Sequence, residues 1–271
     1  MDILAQIVDR KKLRLAAAKS LKRLAEVRSE AMRSRGTAPR HALMTALDQN
    51  GRVNIIAEFK RRSPSKGEIR RNADPVDITK AYQLGGAVAV SVLTEEDYFA
   101  GSLDDLRAVR QAFPLPILRK DFIFDEYQVY ESAAAGADAL LLIVAALDDD
   151  RLARLRTITE DELGMDALVE VHTAEELGRA VQAGARVIGV NNRDLSTFEV
   201  SLETSVQLAP AAPQDTFLIS ESGIGSVEDI ERLRALGYRG FLIGETLMRA
   251  DDPEELLAQL TLAQAFTPGK A

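Results

Sequence analysis

The chain contains no cysteine, which excludes disulfides, thiolate metal sites and cysteine nucleophiles. Only His41 and His172 can supply imidazole, too few for an ordinary zinc site, and no cluster of acids marks a magnesium site. Aromatic residues make up 5% of the 271 positions, so the core must be built from Ala, Leu, Val and Ile. The longest apolar run, Ala137 to Leu147, is interrupted by Asp138 and is too short to cross a bilayer. The N-terminus lacks the basic, apolar, then small pattern of a secretion signal, so a cytoplasmic protein without a membrane partner is expected.

What is present is a soluble globular composition, 46% hydrophobic and 28% charged. The net charge of −8 is unevenly spread. Residues 1–48 hold eleven Lys/Arg and five Asp/Glu, leaving twenty-three against thirty-seven in residues 49–271. A basic arm on an acidic body can signal nucleic-acid binding. No aromatic residues accompany the arm's charges as stacking recognition favours, and a charged helix against an acidic body is the expectation.

Four segments share one grammar, a helical pattern ending in Gly and then an aliphatic run: "LGGAVAVSVL", "AAGADALLLI", "QAGARVIGV" and "LGYRGFLIG". Glycine tolerates the left-handed conformation that closes a helix, so each marks a helix feeding a buried strand. Strands are predicted over 53–60, 87–93, 116–120, 139–144, 167–172, 187–191, 216–220 and 240–244. Helices are predicted over 75–84, 103–113, 125–135, 148–162, 174–183, 202–209 and 227–236, with a last one from Pro253. Strict alternation with near-continuous apolar strands implies a parallel sheet covered on both faces. Eight units close into a single (β/α)8 TIM barrel, here residues 49–271. The competing open doubly wound sheet expects a Gly-rich dinucleotide turn after the first strand, and "RRSPSKG" does not match it. Ahead of the barrel, Ile3, Leu4, Ile7, Val8, Leu13, Leu15, Leu21 and Leu24 predict a helical extension over residues 1–48, forming one structural domain with the barrel.

Alternation places Ile56, Glu58 and Lys60 on one strand face and Ile55, Ala57 and Phe59 on the other. With Phe59 against the helices, Glu58 and Lys60 point into the C-terminal mouth, where barrel enzymes hold their chemistry. Other predicted strand ends carry Lys120, Glu170, Asn191 with Arg193 beyond it, and Glu221 with Ser222. By the same parity Lys120 joins Leu118, Glu170 joins Leu168, and Arg119 falls on the outer face as a structural residue. Charges against apolar layers should have perturbed pKa values. His172 can share the face of Glu170, either as a second catalytic group or as a hydrogen-bonded histidine behind the site; His41 has no motif around it. "SESGIGS" and "IGET" follow the last two strands, where barrels often bind phosphate through backbone N–H groups, with Gly223 and Gly244 as contacts. Glu245 sits awkwardly beside an anion and should turn its side chain outwards while its N–H remains usable. The set suits a phosphorylated small-molecule substrate and acid–base chemistry.

Through "IIAEFKRRSPSKG", "SVLTEEDYFAGSLDDL", "PILRKDFIFDEYQV", "LVEVHTAEEL", "IGVNNRDLSTFEV", "ISESGI" and "FLIGETLM", the chain resembles the indole-3-glycerol phosphate synthase family of tryptophan biosynthesis along nearly its whole length. The resemblance implies a metal-free, cofactor-free carboxy-lyase whose N-terminal extension lies over the mouth. It implies Lys120 as general acid, a role that a lysine with its pKa lowered near other cations is expected to fill at neutral pH, and Lys60 as partner of the substrate's anionic groups and proton donor in dehydration. It implies Glu170 as base or as stabiliser of a ring-nitrogen cation. Glu58, Asn191, Arg193, Glu221 and Ser222 would orient substrate and lysines, with Ser63 and Phe122 also at the substrate. "RRSPSKG" would be a mobile basic flap. A Schiff-base aldolase, phosphoribosylanthranilate isomerase, the tryptophan synthase α chain and a non-catalytic scaffold are the alternatives. A monomer is expected, since nothing marks an apolar interface.

Overall fold

The computed structural model describes residues 3–49, 51–195 and 197–262; the expected barrel segment therefore runs at its end into residues outside the described set. Eight parallel strands form a closed barrel: β1 (Ile55–Phe59), β2 (Ala89–Leu93), β3 (Ile117–Lys120), β4 (Ala139–Ile143), β5 (Asp166–Val171), β6 (Val187–Asn191), β7 (Phe217–Glu221) and β8 (Gly240–Ile243). Each pairs with its sequence neighbours, and β8 closes on β1 with Ile56 opposite Leu242.

Around the barrel lie α4 (Pro75–Leu84), α5 (Leu103–Ala112), α6 (Glu126–Ala135), α7 (Asp149–Thr157), α8 (Ala174–Gln182), α9 (Glu203–Leu208), α10 (Val227–Ala235), α11 (Glu245–Arg249) and α12 (Pro253–Thr261). The side chains of Asp74, Ser102, Asp125, Asp148, Thr173, Ser226 and Asp252 accept hydrogen bonds from the first free N–H groups of the helices they precede. At the four predicted helix-to-strand junctions Gly86, Gly136, Gly184 and Gly237 all have φ between 77 and 96°, the conformation that only glycine adopts cheaply. The short α11 follows directly on β8, in addition to the predicted helices.

Strand parity sorts the core into two clusters. Ile56, Leu118, Leu141, Leu168, Val187, Ile219 and Leu242 fill the barrel interior. Ile55, Ala57, Phe59, Val90, Val92 and Val169 pack outwards against the helices. Arg119, on the outer face, is only 1% exposed and donates to Thr94, Gln128, Glu131, Ser132 and Asp121, as a structural residue must.

Three helices precede the barrel: α1 (Ile3–Leu21), α2 (Leu24–Arg35) and α3 (Ala42–Leu47). The apolar stripe read along the extension is only partly buried. Leu4 and Ile7 are covered, whereas Leu13 and Leu21 are 64% and 87% exposed. The stripe fails because the chain breaks between α1 and α2, and because α1 docks through charge as well as through apolar contact. Lys11 is buried, with its Nζ 2.8 Å from Asp121 Oδ2 and 2.9 Å from Glu96 Oε2. Asp121 also receives Arg119 and Thr94. Burial raises its pKa, but Lys11 and Arg119 outweigh that and hold the carboxyl at about 2. Further arm cations meet barrel acids: Arg14 with Asp97, Lys19 with Asp125, Arg28 with Glu162 and Arg35 with Asp138. The arm's positive charge is thus matched to the acidic body.

His41, which lacked any sequence signal, opens α3 in the left-handed region (φ 50°). Its Nδ1 lies 3.1 Å from Asp166 and 3.2 Å from Arg186 at the barrel's N-terminal end. Among the described residues no helix is long and apolar enough to cross a membrane.

Because Lys11 compensates a buried carboxylate, Lys11→Met is expected to cost roughly 3 kcal/mol, towards the lower end for a broken buried pair since Arg119 remains. Chemical denaturation of both proteins measures the difference, and a loss no larger than for Lys12→Met, an exposed lysine on the same helix, contradicts it.

Candidate active site

A cavity of about 410 Å³ opens at the C-terminal mouth, within the usual range for small-molecule sites. Strand ends supply its polar groups: Glu58 and Lys60 from β1 and the residue just past it, Lys120 from β3, Glu170 from β5, Asn191 from β6 and Glu221 from β7. Arg193, Ser222, Gly223, Gly244, Glu245, Ser63 and Phe122 also line it. The structure therefore brings these sequence-predicted residues to one cavity, with His172, the alternative second catalytic group, outside its lining.

Lys120 is the electrostatic centre. Its Nζ lies 2.9 Å from Glu170 Oε2 and 3.2 Å from Glu221 Oε2. Burial alone would lower its pKa, but Glu170, Glu221 and Glu58 raise it above the ordinary lysine value. The expected downward shift is thus reversed, because its near neighbours are carboxylates and not cations. Glu170 is pushed up by burial and pulled further down by Lys120 and His172, with a net lowering. Glu221 goes the other way: burial, with Glu170 and Glu58 adding to it against Lys120, pushes it up to about 7. Lys60 forms a separate pair with Glu58 at 2.6 Å.

Two carboxylates owe their space to glycines on adjacent strands. A Cβ on Gly189 of β6 would overlap Glu221 Oε1, and one on Gly244, just after β8, would overlap Glu58 Oε1. Gly244 thus has a packing reason to be glycine apart from any anion. Gly223 and Ser222 have φ of 81° and 68°, which turns the chain sharply after β7 and exposes its backbone to the cavity. Glu245 does not turn outwards as expected. It lines the cavity and lies 3.5 Å from Arg193 and 3.2 Å from Arg249, because two guanidinium groups are within reach.

The segment after β1 forms a small hairpin, pairing Arg62 with Glu68 and Ser63 with Gly67. Its base is held by Arg61, which makes two hydrogen bonds to Asp105 (2.6 and 2.9 Å) and lies 4.8 Å from the centre of the Phe59 ring. Arg193 donates to Ser65 Oγ at 3.2 Å, joining this hairpin to the loop after β6.

Sequence reasoning missed several lining residues. Phe99 lies 6.1 Å from Phe122, centre to centre, in a loop whose N–H groups at residues 97, 98 and 99 are all accepted by Glu95. Ile3, Leu4 and Ile7 of α1 cover the mouth. The motif "TEEDYF" carries no signal for the first, since glutamate is not among the residues that ordinarily accept from their own turn. Among the described residues, no group of three or more His, Asp or Glu is arranged to hold a metal ion.

Lysines and carboxylates gathered at the mouth of a (β/α)8 barrel define an acid–base barrel enzyme. Residues 4–260 match the family model for indole-3-glycerol phosphate synthase. A relative of that name from Kineococcus radiotolerans is 47% identical over 98% of this chain and 97% of its own. Another, from Carboxydothermus hydrogenoformans, is 53% identical over 78% of this chain and 80% of its own. The chain belongs to the indole-3-glycerol phosphate synthase family. Among solved structures, 3-hexulose-6-phosphate synthase from Salmonella typhimurium aligns with a TM-score of 0.62 at 14% identity, over 77% of this chain and 96% of that one, a likeness of fold alone.

Gly189→Ala is expected to destabilise the protein by about 1–3 kcal/mol through overpacking and to lower turnover. Gly178→Ala, in open space on the exposed side of α8, should instead stabilise by roughly 0.5–1 kcal/mol; thermal melts of the two test the contrast. The folded state binds the Glu221 proton more tightly than the unfolded chain, so this group's contribution to stability falls as pH rises from 4.5 to about 7. Glu221→Gln should flatten that part of the stability–pH curve, and an unchanged slope would exclude Glu221 as its source.

Proposed function

We propose that the chain converts 1-(2-carboxyphenylamino)-1-deoxyribulose 5-phosphate into indole-3-glycerol phosphate, carbon dioxide and water. The observation that carries the reading is Lys120, a largely enclosed ammonium that lines the cavity between Glu170 and Glu221, in a chain of this family.

Attack of the carboxyl-bearing arene carbon on the ketone leaves charge on the ketone oxygen, and Lys120 delivers a proton there. The raised pKa makes Lys120 a fully loaded donor; the developing alkoxide is basic enough to take the proton. Loss of carbon dioxide then returns the bonding electrons to the ring and restores aromaticity, which needs orientation above all. In dehydration the ring nitrogen helps expel the hydroxyl, Lys60 donates the proton that makes it water, and Glu170 faces the nitrogen cation and removes a proton from the adjacent CH2. Arg193 and Lys60 attract the substrate's anionic groups, and Phe122 with Phe99 offers an apolar wall for its ring. Asn191, Ser63, Ser222, Glu58 and Glu221 orient hydroxyls and lysines. The backbone at Gly223, Gly244 and Glu245 takes the phosphate. Residues 1–48 act as a cap on the barrel within one domain, with Ile3, Leu4 and Ile7 at the cavity, and the working unit is a single cytoplasmic chain.

Purified protein should generate indole fluorescence from that substrate, and Lys120→Ala should lower kcat by about 10²–10⁴-fold, the usual worth of a general acid. An inactive wild type would refute the assignment. A lysine adduct trapped by borohydride with a ketose phosphate would replace it with Schiff-base chemistry.

A further inference from the structure

His172 stands just beyond β5 and is not a cavity-lining residue, yet its ring is built into the site. On one side its Nδ1 lies 3.2 Å from Glu176 Oε2, an acceptor that also takes the His172 backbone N–H at 2.7 Å. On the other side its Nε2, buried and without a hydrogen-bond partner, lies 3.4 Å from Glu170 Oε1. Both ring nitrogens therefore face carboxylate oxygens. Neutral imidazole carries one N–H and would turn a lone pair towards one of those carboxylates; only the imidazolium offers a donor to each.

The charge of that ring bears on Glu170. In the resting site Glu170 has a cation on each side, Lys120 at 2.9 Å and His172 at 3.4 Å. Once Lys120 has given its proton to the substrate it is neutral, and Glu170 loses its nearer compensating charge. A buried carboxylate in that condition is driven to take up a proton, which would remove the base and the negative charge needed at the next step.

The geometry points to His172 as a positioning residue: a standing imidazolium, aligned by Glu176, that keeps Glu170 ionised and oriented while Lys120 is discharged. The inference rests on the reaction assigned above, but its spectroscopic test does not. The charged groups facing the ring are Glu170 on β5, Glu176 on α8 and Glu221 on β7, with Lys120 on β3 beyond Glu170. Burial lowers the ring's pKa, while Glu176, Glu170 and Glu221 together raise it above the ordinary value of 6.5. The imidazolium is then fully present below pH 6.5 and is lost as pH rises through the elevated value, so turnover should carry an alkaline limb that reports it.

The chain has two histidines, so imidazole 15N spectra of the wild type, assigned with a His41 variant, read the state of His172 directly. Two protonated ring nitrogens at pH 7 are expected; a neutral ring there overturns the proposal whatever the assay shows. In kinetics His172→Gln, which keeps a neutral donor in place, should lower kcat about 10- to 100-fold, leave KM nearly unchanged and lose the alkaline limb. Unaltered kcat, or reduced kcat with the limb retained, overturns the proposal and reduces His172 to a packing role. Glu176→Gln, changed at the outer end of the pair, should move the limb to lower pH, and an unmoved limb also overturns it. If wild-type protein proves inactive on the stated substrate, the reaction assignment fails while the 15N result still decides the state of the ring.

Discussion

The site depends on one electrostatic constraint: a lysine ammonium taken out of water must be compensated from close by. Lys120 meets that demand with two carboxylates drawn from β5 and β7, and the consequences spread outward. Three acids crowd around one cation, so they cannot all behave alike. Glu170, pulled down by both Lys120 and His172, is held ionised; Glu221, where burial and the neighbouring glutamates outweigh Lys120, is pushed up to about 7. Proximity of like charges thus divides identical side chains into different protonation behaviour, and one residue type can then fill several roles in acid–base chemistry.

The same strand end organises the other side of the barrel wall. Arg119 and Asp121 flank Lys120 in sequence and belong to a buried network with Thr94, Glu131 and Lys11. Lys11 comes from α1, whose Ile3, Leu4 and Ile7 lie over the cavity. The cap and Lys120 are therefore joined through consecutive residues at the end of one strand. Helix docking and active-site geometry share a foundation, and the basic arm is a working part of the barrel rim.

Much of this was readable from the chain because barrel strands obey a period of two and their helices stop at glycine. The parity that put Glu58 and Lys60 with Ile56, and Phe59 with the helices, holds throughout. Arg119 could be separated from Lys120 by the same count. Less legible were features decided by contacts across the fold. Lys11 looked like one cation among many, since nothing local shows that Asp121 will lie beneath it. Leu13 and Leu21 fitted a helical stripe but stand in solvent. The direction of the Lys120 shift depends on which charges the barrel brings near, and strand order alone did not say that carboxylates would be nearest.

Gly189 and Gly244 give this architecture a further property. The room occupied by Glu221 and Glu58 is taken from neighbouring strands, so the volume available at each position belongs to a pair of residues and not to one. Altering the acid alone explores only side chains no bulkier than glutamate, and altering the glycine alone meets the acid. New chemistry at this mouth is reached by exchanging acid and glycine together, which makes these cross-strand pairs the natural unit for redesign and for divergence among barrels of this kind.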